Sequence, residues 1–208
     1  MKKNILITFG LTIFTILIVY ILTRPFFLDF ADKTPTLAAF IKFFILATLG
    51  DVFAYKIKNK NWGLPKNILF KAFVWGFIGI VISYIFVIYS SGVITLMDKD
   101  ILPFKNNVFF TALFISTFMN LTFAPTMMAF HRITDAYSNN PKQERKQAVK
   151  SIDWNTFLNI TVYKVIPLFW IPAHTITFLL PSNLRVLFAA VLGIVLGVLL
   201  SIFQKQKK

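Results

Sequence analysis

Apolar residues come in six long runs, and polar residues fill the gaps between them. The runs are 5–22, 36–55, 68–96, 108–130, 154–171 and 184–203, and the first has eighteen residues without a charge or a proline. About 20 apolar residues, each rising ~1.5 Å, cross a hydrocarbon layer of ~30 Å. Each run is therefore close to the length of a membrane helix. The pattern predicts an all-α fold: a polytopic transmembrane helix bundle of about six membrane helices, forming one integral membrane domain over residues 1–208. The third run is long enough to tilt, or to bend at Gly76, Gly79 or Gly92. Pro125 in the fourth run and Pro167 in the fifth each remove a backbone hydrogen bond and predict kinks. A four-crossing arrangement, with some runs merged or the first laid on the surface, is the competing topology.

Composition moves the picture the same way. Hydrophobic residues make up 57% of the chain and charged residues 14%, against roughly 45–50% and ~25% in soluble domains. The net charge of +14 would suggest nucleic acid in a soluble protein, but here the basic residues sit in short gaps beside apolar runs. With the N-terminus inside, fifteen of the 22 fall on the inner side: Lys2 and Lys3, the lysines from 56 to 71, the basic residues from Arg132 to Lys150, and those from Lys205 to Lys208. Five fall outside (Arg24, Lys33, Lys99, Lys105 and Arg185), and Lys42 and Lys164 lie within runs. This three-to-one bias predicts both termini on the cytoplasmic side and makes nucleic acid an unexpected partner. Met1-Lys2-Lys3 before an apolar run has the look of a signal peptide, yet the run exceeds the usual ~7–15 residues and no small-residue cleavage site follows. A retained anchor is expected. Cysteine is absent, which excludes disulfides and thiolate chemistry by this chain. Phe-, Ile-, Lys- and Asn-rich usage points to an AT-rich genome and a bacterial plasma membrane, or an organelle membrane if the source is eukaryotic.

The stretch 141–153 is the sizeable polar one. It is either a short helix, with Ala148, Val149 and Ile152 as its apolar stripe and Lys142, Arg145, Lys146 and Lys150 facing anionic lipid headgroups, or a solvated basic loop. Small residues recur at four-residue spacing: Ala189, Gly193, Gly197 and Ser201 in the last run, Ala72 with Gly76 and Gly79 with Ser83 in the third. Such stripes let helix backbones approach closely, inside the bundle or at a homo-oligomer face. With three crossings in each half, the halves would be inverted relative to one another, as in many transporters.

Polar groups within apolar runs are costly unless paired and often mark solute paths. Asp51 shares a helical face with Thr48 and Tyr55; it faces either a solute path or a lysine at the inner interface. Lys164 lies mid-way along the fifth run, so it is expected to face the bundle interior, with Asp51 as one conceivable partner. Ser116 with Asn120, and Asn155 with Asn159, stand four apart and either line a path or bond between helices. Lys42, near an outer end, is expected to extend its amine to the interface. His131 and Asp135 have helical spacing, but His131 and His174 fall on opposite faces of the bilayer and cannot share a metal. No serine-hydrolase elbow, zinc-protease helix or phosphate loop occurs. The reading is of a non-enzyme with no cofactor and no metal.

The C-terminal third, Trp170-Ile-Pro172-Ala-His174-Thr-Ile-Thr177-Phe178-Leu-Leu-Pro181 followed by Arg185 and Leu200-Ser201, resembles the tail signature of the peroxisomal membrane protein and mitochondrial Mpv family of small integral membrane proteins. That tail runs aromatic-Pro, Gln-x-x-Asn-Phe, Val-Pro, Arg, then Trp-Asn-x-x-Leu-Ser. Gly50-Asp51 is similar to the family's Gly-Asp at the inner end of an early helix, and Pro125 and His131 loosely match its Gly-Pro and His region. His174 stands for the family's Gln, Thr177 for its Asn, Leu196-Gly197 for its Trp-Asn, and the run 5–22 adds to its usual four-helix core. The match covers about residues 36–203. The resemblance implies a divergent bacterial member acting as a channel or transporter for small solutes. It makes Gly50, Trp170, Pro172, Phe178, Pro181 and Arg185 structural, the last five shaping an outer hairpin between the last two crossings. Asp51, Asn120, Asn159, Lys164 and His174 are the candidate pathway or gating residues. A non-transporting membrane organiser is the first rival, and a lipid enzyme using His131 and Asp135 the second.

Overall fold

A computed structural model describes residues 2–140 and 142–205, with side-chain surroundings for 11–140 and 147–195. Every regular element among them is helical. Helix α1 (Lys2–Leu22) ends where Pro25 approaches: Arg24, just before the proline, is forced extended at ψ 148°. The chain then forms α2 (Pro25–Lys33), a short amphipathic helix that buries Phe27 and Ala31, with an exposed Asp29–Lys33 ion pair. Helix α3 (Pro35–Asn59) ends at Lys60 in the left-handed conformation, φ 59°. Lys56 and Lys58 in its last turn suit the negative end of the helix dipole. Helix α4 (Ile68–Asp98) runs 31 residues without interruption.

Asn107 caps α5 (Val108–Thr122), its side-chain oxygen accepting from the Phe110 N–H at 3.1 Å. Pro125 sits in the first turn of α6 (Ala124–Asn139), where an N–H has no partner within the helix in any case. A 3₁₀ stretch follows (Lys142–Ser151). Asp153 then caps α7 (Trp154–Leu179) by accepting from the Thr156 N–H at 2.9 Å. Between Phe157 and Trp170, α7 is widened to i→i+5 bonding, so that the Ile171 N–H reaches the Ile166 carbonyl. Pro167, which has no N–H to donate, lies inside this widened section. Helix α8 is Ser182–Lys205.

Three of these helices, α3, α4 and α7, are long and apolar enough to cross a membrane, or up to five spans if each of two bent pairs counts as one. The bent pairs are Leu11–Leu22 with Pro25–Lys33, at 62°, and Val108–Thr122 with Ala124–Asn139, at 46°. Ser182–Val195 is a shorter apolar helix. The apolar helices are compatible with a membrane location.

Several details differ from the sequence reading. Residues 25–33 form a helix, because Phe27 and Ala31 share a face that packs inward. The fourth run breaks at Phe123, ahead of Pro125, as the proline foretold. The third run does not break at any of its glycines. The fifth helix continues past Ile171 to Leu179, so Trp170, Pro172 and Phe178 are helical rather than hairpin residues. Leu180 and Pro181 alone separate α7 from α8, and Arg185 steadies that turn by donating from Nε to the Leu180 carbonyl at 3.0 Å.

The chain packs as two compact units. The first comprises Met1–Ile80 and Val186–Lys208. Its core includes, beside Phe43 and Leu46, the small residues of α3: Ala38, Ala39, Ala47 and Gly50. A methyl group on Gly79 of α4 would stand 2.7 Å from the Ala39 carbonyl, one on Gly76 would enter the Phe40 ring, and one on Gly50 would lie 3.2 Å from the Ile194 Cα of α8. These glycines are where the backbones meet. Space around Gly193 is open, and the side chains of Gly197 and Ser201 lie outside the described residues. The second unit is Val81–Arg185. There α5 lies along Ile171–Leu179 of α7, burying Ile115, Met119, Ile166 and Phe178. The 3₁₀ stretch packs on α6 through Ala148; Lys150 is exposed, and the side chains of Lys142, Arg145 and Lys146 lie outside the described residues.

Candidate functional site

The most polar buried place described is in the second unit, between α5 and the last turns of α7. Ser116 and Asn120, four apart on α5, are both 0% exposed. The Asn120 amide nitrogen donates to the Ser116 carbonyl at 2.8 Å and to Ser116 Oγ at 3.2 Å, while Ser116 Oγ donates across to the Ile171 carbonyl at 2.7 Å. The Asn120 side-chain oxygen lies 3.0 Å from His174 Nδ1. With the amide nitrogen bound to a carbonyl, only the oxygen faces His174. An oxygen cannot donate, so the imidazole proton sits on Nδ1. The His174 ring stacks on Trp170, one turn back, with centroids 4.9 Å apart and 24° between planes, and meets Phe86 edge-on at 5.9 Å. Phe178 closes the aromatic cluster against Phe86 at 4.9 Å, and the Arg185 guanidinium lies 5.5 Å over the Phe178 ring. Trp170 is 8% exposed, and its indole N–H is buried without a partner among the described residues.

Two of the five predicted pathway residues, Asn120 and His174, thus touch. The others lie elsewhere. Asp51 is half-buried in the first unit and accepts from the Trp75 indole N–H at 3.0 Å; Thr48, one turn back, has a buried hydroxyl without a partner among the described residues. Asn159 is exposed on α7 and bonds within its own helix, to the Asn155 carbonyl at 3.0 Å and to the Asn155 side chain. Lys164 is exposed rather than interior. Its mid-run position sets its depth along the helix and not the face it takes. Lys42 reverses its expectation too. It is 3% exposed, with its amine 5.6 Å over the Phe27 ring, because α2 folds across the site where the lysine would otherwise reach out.

His131 and Asp135 are half-buried on α6. Their neighbour Arg132 donates to Thr161 Oγ1 at 3.3 Å and lies 5.3 Å over the Phe157 ring, tying α6 to α7. Among the described residues no three His, Cys, Asp or Glu side chains gather as metal ligands. Asp153, at the start of α7, has its carboxyl held below the ordinary carboxylate range, chiefly by the Thr156 hydroxyl and then by the Thr156 N–H. Sequence reasoning missed the Asp51–Trp75 bond and the Asn120–His174 link, which join residues 24 and 54 apart. The Trp170–His174 stack was within reach, since i,i+4 spacing puts both rings on one helix face.

Compared with protein families, with curated proteins and with solved structures, the chain matches none.

Proposed function

We propose that this is a six-crossing membrane protein with both termini on the cytoplasmic side, and that it passes small solutes along a path in its second unit. Asn120 and His174 line that path. The likeness to the peroxisomal and Mpv family would then reflect kinship and carry the same role. The observation that supports this reading is the Ser116–Asn120–His174 chain of polar groups between two otherwise apolar helices. Polar side chains at such depth commonly serve substrate passage. The exposed aliphatic and aromatic surface of α4, with Phe73, Phe77, Val87 and Ile88, fits contact with lipid tails.

The direct test is flux. Purified protein in liposomes, shown helical by circular dichroism, is challenged with a series of small neutral and charged solutes, and swelling is followed by light scattering. Flux above empty liposomes, reduced in Asn120→Leu, is expected; flux equal to empty liposomes ends the conduit reading. Single cysteines at Lys99 and Lys142 should label from opposite sides, and labelling from one side would discard six crossings. A non-transporting organiser draws support from one observation: Ser116 Oγ donates to the Ile171 carbonyl and the Asn120 oxygen bonds His174 Nδ1, both from α5 to α7. That is how polar groups bind helices together.

A further inference from the structure

We propose that the Trp170 indole N–H and His174 Nε2 together form a binding site for a neutral hydroxyl group, either water or the hydroxyl of a small alcohol or polyol. The assignment rests on reading Asn120 and His174 as a solute path, and it names the chemistry of the solute.

Proton accounting carries it. The Asn120 amide nitrogen is fixed by the Ser116 carbonyl, so Asn120 presents only an acceptor to His174. His174 Nδ1 therefore bears the proton, and in the neutral ring Nε2 is left with an open lone pair. No described residue donates to it. Stacked on this ring is Trp170, buried to 8% exposure, whose N–H has no acceptor among the described residues. An indole nitrogen donates and never accepts.

Neighbouring hydroxyls do not fill the gap. Thr175 Oγ1 donates to the Ile171 carbonyl at 2.8 Å, Thr177 Oγ1 to the Ala173 carbonyl at 2.9 Å, and Ser116 Oγ to the Ile171 carbonyl at 2.7 Å. One helix face thus offers an unused donor and, one turn on, an unused acceptor. The buried Trp170 N–H is a group that ordinarily has a partner, and His174 is half-buried beside it. A hydroxyl complements both, accepting from Trp170 and donating to His174. An anion would meet the Nε2 lone pair, a cation would meet the indole N–H, and a bare carbonyl would serve Trp170 alone. Phe86 and Phe178 beside the imidazole disfavour a charged ligand further.

The experiment uses the full chain in detergent micelles at pH 8, where an ordinary imidazole is neutral. Tryptophan is labelled with nitrogen-15, so the four indole N–H groups give four signals, and Trp170→Phe identifies the one of interest. Glycerol is the probe. A saturable shift of the Trp170 signal with glycerol, weakened about tenfold in His174→Phe, assigns the site to a polyol hydroxyl. A nuclear Overhauser contact between the Trp170 indole proton and water, without a saturable glycerol shift, assigns it to water. Neither response in folded wild-type protein overturns the proposal, as does a glycerol response undiminished in His174→Phe. Binding is read without flux. A failed titration leaves a positive flux result standing, and a failed flux assay leaves the binding result standing.

Discussion

The two units hold their helices by opposite means. In the first, α3 meets α4 through glycine and alanine, and contact is made by a carbonyl and by aromatic carbon. In the second, α5 meets α7 through a serine, an asparagine and a histidine whose bonds run from helix to helix. Without a hydrophobic driving force between helices in lipid, association rests on close packing and on such bonds. The first device tolerates no added volume, and the second tolerates no lost partner.

Volume should therefore break the first unit most severely. Gly79→Leu drives a side chain into the Ala39 carbonyl and the Phe43 ring, both 2.7–2.8 Å from the new Cβ. A loss of about 3 kcal/mol or more is expected, read as a lower midpoint of thermal unfolding in detergent. Gly92→Ala is the control, since nothing lies within 4 Å of the added methyl. Equal midpoints for Gly79→Leu and wild type would show that the glycine contact does not hold α3 to α4.

Removing a partner should break the second unit next. Asn120→Leu leaves the His174 Nδ1–H without an acceptor at a site where Asn120 is 0% exposed. The expected loss is about 1–3 kcal/mol, smaller than that of Gly79→Leu. Asn120→Asp keeps the acceptor and should keep part of the stability. A loss in Asn120→Leu no larger than in an exposed control such as Lys164→Met would mean that the bond to His174 contributes nothing to stability.

How far these devices could be read in advance follows from their range along the chain. The small-residue spacing of Ala72, Gly76 and Gly79 lies within one helix, so the stripe is visible in sequence, and Phe40 and Ala39 fill it as expected of internal packing. Pro125 likewise marks the break at Phe123. Helix α2 was hidden because an amphipathic run of nine residues between prolines looks like a loop. The outward turn of Lys164 was hidden because its place mid-way along the run gives depth and does not say which face of α7 it takes. The joining of Asn120 to His174 is a matter of tertiary packing that neither residue's neighbours announce. Only the choice of polar residues inside apolar runs pointed to both.

Asp51 offers a finer comparison, since it is a polar bond within the glycine-packed unit. Its acceptor role toward the Trp75 indole survives in Asp51→Asn, provided the amide oxygen takes the carboxylate's place. A modest loss, about 1 kcal/mol, is expected from Trp75→Phe, and less from Asp51→Asn. Solute flux separates the two units' roles. Unchanged flux in Asp51→Asn, alongside reduced flux in Asn120→Leu, would confine the path to the second unit. Reduced flux in both would place Asp51 on it as well.

The mildest effect belongs to the helix starts, where the contrast recurs. Thr34 precedes α3 without a side-chain cap, and Pro35 opens the helix; Asp153 caps α7 with its carboxylate on the Thr156 N–H. That carboxyl is held below its ordinary range by the Thr156 hydroxyl and N–H. A folded-state value below the unfolded one means that the folded chain binds the proton less readily. The cap's stabilisation is then fully present above the ordinary carboxylate range and fades as pH falls through the lowered folded value. Asp153→Ala should therefore lower the unfolding midpoint at pH 7, and the gap from wild type should narrow as pH falls below the ordinary carboxylate range. Asp153→Ser keeps a capping oxygen without the charge, so it should be the more stable of the two variants by an offset that does not change with pH, while its own gap from wild type narrows as that of Asp153→Ala does. A gap for Asp153→Ala that is the same at pH 7 and below that range would mean that the carboxylate's charge plays no part in starting α7.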